Sequence, residues 1–193
     1  MREASVTTDA VAVVRLPRLG RFVFRGRSEA VEAAGGAFGA ALPRQACRAA
    51  LAAGSRAALW LGPDEWLLLL PEGDAENCAA ALNRRLAGLP NSLVDVSHRQ
   101  VGLEISGRNA ATVLNAGCPL DLDDAVFPAG MCTRTLLGKA EIVLWRSAEQ
   151  CFRLEVSQSY AAYVLGLLRE AMRGFAAPPD GEAINPAPSP QRA

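Results

Sequence analysis

Residues 57–70, with the sequence AALWLGPDEWLLLL, consist of two apolar runs separated by a short turn. Gly62, Pro63 and Asp64 are turn-forming residues, and their place between the two runs predicts a β-hairpin. Both runs are apolar at consecutive positions rather than at every second one, which is typical of strands buried on both faces. The hairpin is therefore expected to be covered by other parts of the protein on each side.

A helix is predicted on each side of this hairpin along the chain. Before it, residues 21–25 form a short strand candidate, and Ser28 is placed to cap a helix that has acidic residues in its first turn. The inward face of that helix is expected to contain Ala30, Val31, Ala34, Phe38 and Ala41. After the hairpin, residues 74–86 form a second helix candidate. The first half is thus expected to run strand, helix, hairpin, helix.

The second half of the chain repeats this order of elements. Residues 101–106 alternate between apolar and polar side chains, which predicts a half-buried strand. A short helix is expected to follow and to end at Gly117, a suitable left-handed cap residue. Two strands, 139–146 and 151–157, and an amphipathic helix that ends near Phe175 complete the pattern. No repeat is evident at the level of single residues.

These elements predict an α+β protein of two packed α/β subdomains. We place the first subdomain at residues 19–90 and the second at residues 91–175. Residues 1–18 are expected to form a flexible N-terminus. Residues 176–193 contain five of the twelve prolines and few large apolar residues, so they are expected to form a disordered tail.

The composition restricts the classes of partner. Twenty basic and twenty acidic residues give a formal net charge of zero, whereas nucleic-acid binding and attachment to an anionic membrane both require a cationic surface. No run approaches the roughly 20 apolar residues that span a bilayer, and the first residues do not resemble a signal segment. We therefore expect a cytoplasmic protein that binds neither nucleic acid nor membrane.

Motif searches identify no cofactor site. The nearest approach to a dinucleotide-binding motif, residues 35–39 (GGAFG), has the wrong spacing and lies inside a predicted helix. The five cysteines are scattered and include no CxxC pair, so they are expected to be reduced and mostly buried rather than disulfide-bonded or zinc-bound. The cysteines are Cys47, Cys78, Cys118, Cys132 and Cys151.

Polar residues that invite a catalytic or metal-binding role have simpler interpretations. Asp95, Ser97 and His98 are too close in sequence for a catalytic triad, whose members converge from separate elements, so a structural or interface role is expected. The acidic cluster at residues 121–124 lacks the spacing of a calcium-binding loop and is expected to be a solvated turn or helix cap. Lys139, beside Glu141, is expected to be exposed or paired.

The three tryptophans, Trp60, Trp66 and Trp145, all lie on predicted strands. Burial in the core is the simplest interpretation for each of them. Large aromatic residues also anchor protein interfaces, so one of the three could instead be an interface residue. The sequence leaves these two roles open.

Several segments, in this order, resemble the gamma subunit family of heterotetrameric sarcosine oxidase. The resemblance covers roughly residues 20–175, most of the part expected to fold. The segments are LWLGPDEWLL at 59–68, VDVSHR at 94–99, AGCPLDL at 116–122, FP at 127–128, CTRTLL at 132–137, KAEIVLW at 139–145 and the last helix.

The resemblance implies a first subdomain that is ferredoxin-like and a second that resembles the folate-binding aminomethyltransferase fold. It implies an accessory subunit of a complex that oxidatively demethylates sarcosine to glycine, forming hydrogen peroxide and 5,10-methylenetetrahydrofolate. Alpha, beta and delta subunits are the implied partners, alpha most directly. FAD, FMN, NAD, tetrahydrofolate and zinc are expected in those partners. The family assigns this subunit no cofactor, so no catalytic, cofactor-binding or metal-binding residue is predicted in this chain.

Three other interpretations remain open. The chain could be a free-standing folate-dependent aminomethyl carrier, although it is short for that architecture. It could belong to the folate-binding proteins of iron–sulfur cluster maintenance, but residues 138–141 (GKAE) lack the cysteine and the aromatic residue of their motif. It could also be the gamma subunit of a related oxidase or dehydrogenase that acts on another N-methyl amine.

Overall fold

The computed structural model describes residues 5–7 and 10–175, so the predicted tail at 176–193 lies outside the described residues. The chain forms strands and helices over most of this range. The strands are β1 (Ser5–Thr7), β2 (Ala12–Arg15), β3 (Leu19–Gly26), β4 (Ala49–Ala52), β5 (Arg56–Gly62), β6 (Glu65–Pro71), β7 (Asn91–Asp95), β8 (Gln100–Ser106), β9 (Cys132–Leu137), β10 (Ala140–Ala148) and β11 (Cys151–Ser157). The α-helices are α1 (Glu29–Phe38), α2 (Ala75–Leu86), α3 (Ala110–Asn115) and α4 (Ala161–Met172). Short 3-10 helices occupy Glu72–Asp74, Gln158–Tyr160 and Arg173–Phe175.

The strands form two antiparallel sheets. The first sheet has the order β4-β5-β6-β3-β7, and the second has the order β1-β2-β8-β11-β10-β9. Apart from the edge strand β4, the elements of the first unit are β3, α1, β5, β6, α2 and β7, which is the β-α-β-β-α-β order of a ferredoxin-like unit. The predicted α+β fold with two units is therefore confirmed.

The predicted repetition of elements is also present in the structure. The series β3, α1, β4, β5, β6, α2 in the first half corresponds to β8, α3, β9, β10, β11, α4 in the second. Corresponding strands hold corresponding places in the two sheets, with β3 beside β6 and β8 beside β11. The halves differ in the second neighbour of β3 and of β8. Strand β7 lies beside β3 in the first sheet, and β2 lies beside β8 in the second.

These two strands depart from the predicted domain limits. The interpretation of residues 1–18 as flexible is wrong for Ala12–Arg15, because β2 pairs with β8 and Val13 is buried. Strand β7 lies after the predicted limit at residue 90 but pairs with β3 in the first sheet. In each case the physical reason is the unpaired backbone along one side of a strand, β8 or β3, which takes its hydrogen-bond partner from beyond the proposed boundary. The division into subdomains otherwise stays a prediction.

Three apolar clusters define four layers. One lies between α1, α2 and the first sheet, a second lies between α3, α4 and the second sheet, and a third lies between the two sheets. The hairpin β5–β6 contributes to two of them, since Leu68 and Leu70 face the helices while Leu67 and Leu69 face the second sheet. The predicted burial of this hairpin on both faces is confirmed.

Two predicted helix ends differ in detail. Ser28 precedes α1 with φ 45° and makes no side-chain capping hydrogen bond, while its carbonyl oxygen accepts the backbone N–H of Val31 at 3.1 Å. The helix ends at Phe38 before Gly39, which is left-handed, so Ala41 lies beyond it and is exposed. Gly117 is not left-handed; its carbonyl oxygen accepts the Gly138 N–H at 2.9 Å, an approach that favours a residue without Cβ.

Candidate interface cleft between the two sheets

The two sheets join along one side through equivalent positions of the two halves. Arg48, just before β4, forms an isolated antiparallel bridge with Met131, just before β9. The Cys132 N–H donates to the Cys47 carbonyl oxygen at 2.9 Å, and the Ala49 N–H donates to the Gly130 carbonyl oxygen at the same distance. Backbone hydrogen bonds therefore fix the sheets to each other where β4 and β9 begin.

The inner face of the second sheet consists of rows of side chains that the strand register places side by side. Cys132 and Trp145 belong to a row in the apolar cluster between the sheets. The next row contains Gly102, Glu155, Val143 and Arg134. Two residues further along each strand, a third row contains Gln100, Ser157, Glu141 and Leu136. We call this third row the open row, because Ser157, Glu141 and Leu136 are exposed.

A buried ion pair crosses between the sheets at the second row. The Arg21 Nε of β3 donates to the Glu155 Oε2 of β11 at 2.6 Å, and the two side chains are 2% and 1% exposed. Arg153 donates to the other carboxylate oxygen through Nε and Nη2, at 2.8 and 2.6 Å. Gly102 stands opposite Glu155, and a Cβ at that position would lie 3.0 Å from Arg21 Nη2. The absence of a side chain at Gly102 therefore makes room for the ion pair.

A second ion-pair cluster crosses between the sheets at Glu65, the first residue of β6. Its carboxylate accepts hydrogen bonds from Arg25 of β3 and from Arg134 of β9, and the Glu65 side chain is 6% exposed. Burial by itself raises the pKa of Glu65. The hydrogen bonds and charges of Arg134 and Arg25 outweigh that effect, and they hold the pKa of this carboxyl below its ordinary value.

This shift predicts an acid-dependent loss of stability. A carboxyl whose pKa is lower in the folded state stabilises the fold above its unfolded-state pKa, and the contribution is lost as pH falls through the folded-state pKa. We expect Glu65→Gln to lower the urea midpoint at pH 7 and to reduce the fall in that midpoint below about pH 4.5. The exposed Glu32, which pairs with Arg44 at 3.3 Å, provides the control Glu32→Gln. Equal acid dependence in Glu65→Gln and the unsubstituted protein would contradict the assignment.

A cleft of about 260 Å³ opens between the sheets at the open row. Val23, Leu61 and Leu67 line it from the first sheet, while Arg99 and Tyr160 lie at its rim, at the ends of β8 and β11. The Gln100 Oε1 is buried in this region and has no hydrogen-bond partner among the described residues. The first sheet thus covers the inner rows of the second sheet and leaves the open row accessible.

The predicted structural role of the segment at residues 95–99 agrees with its geometry. Strand β7 ends at Asp95, whose Oδ1 accepts the Ser97 N–H at 2.8 Å in a local turn. The Ser97 Oγ accepts the backbone N–H of Arg21 at 2.9 Å, and His98 is exposed. The serine hydroxyl is thus engaged with the first sheet, and the three side chains do not form a relay.

The acidic cluster is a sequence of turns, as predicted. The Asp121 Oδ1 accepts the Asp123 N–H at 2.9 Å, and the Asp123 Oδ1 accepts the Ala125 N–H at 2.9 Å. Asp124 pairs with Arg146. Within residues 5–7 and 10–175, no group of three or more His, Cys, Asp or Glu side chains is arranged to hold a metal ion. Lys139 is exposed, and its backbone N–H donates to the Tyr163 hydroxyl at 3.1 Å.

The three tryptophans lie in different parts of the layered structure. Trp66 is buried under α1 and donates its Nε1–H to the Pro43 carbonyl oxygen at 2.8 Å, whereas Trp145 belongs to the cluster between the sheets. Trp60 is half-buried.

Burial raises the pKa of the Cys132 thiol to about 12, so this cysteine stays protonated at neutral pH. All five cysteines are free thiols, and Cys78 and Cys118 are buried with Cys132.

The cleft itself was not predicted. Its residues come from β3, β5, β6, β8 to β11 and the segments beside them, and no strand contributes more than three of them. The alternation in residues 151–157 indicates two faces of a strand, but it does not indicate that another sheet covers the polar face.

No helix in the described part of the chain is long and apolar enough to cross a membrane.

The architecture defines a class of α+β proteins whose fold an aminomethyltransferase shares. The chain superimposes on the glycine cleavage system aminomethyltransferase T of Bartonella henselae with a TM-score of 0.65 and 17% identity, over 84% of this chain and 46% of that one. This likeness concerns the fold alone, and it agrees with the fold that the sequence resemblance implies.

Residues 27–173 match the sarcosine oxidase, gamma subunit family, and the chain belongs to this family. It is 37% identical to the sarcosine oxidase subunit gamma of Arthrobacter sp over 142 residues, 74% of this chain and 69% of the relative. It is 34% identical to that of Corynebacterium sp. (strain P-1), over 93% of this chain and 82% of the relative. The predicted family resemblance is confirmed.

A solved structure agrees with the family assignment. A chain of the heterotetrameric sarcosine oxidase from Corynebacterium sp. U-96, in complex with pyrrole 2-carboxylate, superimposes with a TM-score of 0.83. The two chains are 29% identical, and the match covers 91% of this chain and 90% of that one.

Proposed function

We propose that this chain is the accessory gamma subunit of a heterotetrameric sarcosine oxidase. The observation that carries the proposal is the superposition, over 90% of its length, of a chain from such a heterotetramer. In the proposed complex, sarcosine is oxidatively demethylated to glycine, oxygen is reduced to hydrogen peroxide, and the one-carbon unit passes to tetrahydrofolate. The chain contributes to the assembly and stability of the complex.

The proposal assigns the chemistry to the partners. Alpha, beta and delta subunits complete the complex, and they hold FAD, FMN, NAD, tetrahydrofolate and zinc. The gamma subunit docks on alpha and supports the region that handles folate. A surface that binds a larger subunit only in its folded form stabilises both proteins by mass action. We place the complex in the cytoplasm.

Mild affinity purification of this chain from its native host tests the proposal. We expect large subunits to co-purify, the absorbance spectrum of a bound flavin, and hydrogen peroxide formation when sarcosine is added. The same complex with peroxide formation from another N-methyl amine would reassign the substrate. A colourless, solitary protein would reject the accessory role and would favour the free-standing folate carrier, which a tetrahydrofolate titration would then test.

Omission of the chain tests its role within the complex. Co-expression of the other subunits without it is expected to give less assembled complex and lower folate-coupled activity per flavin. Full assembly with full folate-coupled activity in its absence would contradict the docking on alpha.

A further inference from the structure

The open row and its surroundings have the composition of a protein interface. Leu136, Tyr160 and Tyr163 are large apolar or aromatic side chains that are 48%, 46% and 40% exposed. The two tyrosine rings make an edge contact, with their centroids 6.5 Å apart. Leu136 stands opposite Glu141, which lines the same cleft as Tyr160, so these side chains form one continuous surface. Exposed tyrosine and arginine around a cleft are typical of residues that anchor a partner, and the exposed leucine adds apolar surface beside them.

Two polar groups at this surface lack partners within the described part of the chain. The buried Gln100 Oε1 accepts no hydrogen bond, and a buried acceptor without a donor destabilises the fold. The guanidinium of Arg99, at the rim of the cleft, makes no ion pair among residues 5–7 and 10–175, and within this range Arg99 forms hydrogen bonds only through its backbone. An occupant that supplies an N–H and a carboxylate would satisfy both groups.

The charge of the surface also favours an acidic occupant. Arg99 and Lys139 bring two positive charges to the rim and its border, and Arg134 shares the Glu65 carboxylate with Arg25, whereas Glu141 brings one exposed negative charge. Glu155, deeper in the cleft, is already compensated by Arg21 and Arg153. The volume of about 260 Å³ is below the usual range for a small-molecule pocket, roughly 300–1,000 Å³. It suits a few side chains of a segment that continues across the surrounding surface.

We propose that the open row is the docking site for an extended acidic segment of a partner subunit. The inference rests on the proposed function, since it specifies the surface that an accessory subunit uses. In this arrangement a carboxylate of the segment pairs with Arg99, a backbone N–H donates to the Gln100 Oε1, and an apolar side chain lies between Tyr160 and Leu136.

Charge reversal at the rim tests the docking site. We expect Arg99→Glu to weaken the binding of the full chain to the remaining subunits at least about ten-fold at low salt, and less at high salt, because the lost attraction is electrostatic. Arg84→Glu, an exposed arginine on α2, is the matched control and should bind as the unsubstituted chain does. Both arginines are exposed, so equal melting temperatures would show that each variant is folded.

Photo-crosslinking identifies the occupant. A benzoylphenylalanine at position 136, in the assembled complex, is expected to crosslink to a peptide of a partner subunit that contains Asp or Glu. Unchanged affinity of Arg99→Glu, or a crosslink to this chain itself or to a second copy, would overturn the docking site. The proposed function would stand in that case, provided that the unsubstituted chain binds the other subunits. If the unsubstituted chain binds none of them, both proposals fail.

Discussion

Replacing Glu155 by leucine is expected to lower the free energy of unfolding by about 3–5 kcal/mol, the usual cost of removing one partner from a buried ion pair. Arg21 is 2% exposed and donates its Nε–H to Glu155 at 2.6 Å. Within the described residues, its guanidinium would then keep only the Leu19 carbonyl oxygen, at 3.2 Å, as an acceptor. Urea unfolding at pH 7 measures the change.

A surface pair provides the control for this experiment. Glu72 pairs with Arg18 at 3.3 Å, and both side chains are more than half exposed. Glu72→Leu is expected to change the free energy of unfolding by no more than about 0.5 kcal/mol, because water solvates the arginine that remains. Similar losses for Glu155→Leu and Glu72→Leu would show that the ion pair between the sheets is not desolvated as the structure indicates.

The double variant separates the charge from the packing. Arg21→Met together with Glu155→Leu removes both buried charges and leaves apolar side chains of similar length between the sheets. Buried ion pairs replaced in this way often lose little stability, so we expect the double variant to be more stable than Glu155→Leu alone. A loss equal to the sum of the two single losses would contradict this interpretation.

The alternation of apolar and polar residues predicted β8 and β11, and continuous apolar runs predicted β5 and β6, whereas β2, β4, β7 and β9 were not predicted. In residues 151–157 the alternation correctly separated Phe152, Leu154 and Val156, which face the helices, from Arg153 and Glu155. It could not predict that Glu155 is buried. That burial depends on Arg21, which lies 134 residues away and belongs to the other sheet.

Strands that pair across the predicted domain limits show a second limit of the sequence. Val13 of β2 and Val11 just before it are buried, but β8, with which β2 pairs, begins at residue 100. Local periodicity predicts that a strand forms, whereas its place in a sheet depends on which edge remains open after the other strands have paired. The candidate cleft could not be predicted for a similar reason. It lies where the first sheet stops covering the second, and this depends on how the two sheets pack.

Arg146 anchors the loop between α3 and β9, and its replacement by leucine is expected to lower the free energy of unfolding by about 3 kcal/mol. Its Nη1 donates to the carbonyl oxygens of Leu122 and Phe127 at 3.2 and 2.9 Å, and its Nε donates to that of Glu149 at 3.0 Å. The guanidinium lies 4.9 Å from the centre of the Phe152 ring. Leucine would leave the buried carbonyl oxygens of Leu122 and Phe127 without this donor, and chemical denaturation measures the loss.

Arg146→Lys tests whether the geometry of the donors or the charge alone accounts for this role. An ammonium group keeps the charge that faces Asp124, but it cannot reach carbonyl oxygens on opposite sides as a planar guanidinium does. The lysine variant is therefore expected to lie between the native protein and Arg146→Leu in stability. Amide hydrogen exchange should show the loss first at the N–H groups of Val126 and Phe127, which donate to the Asp123 carbonyl oxygen within the loop. Native stability of the lysine variant would assign the role to charge, and unchanged exchange in the leucine variant would mean that the loop is held without Arg146.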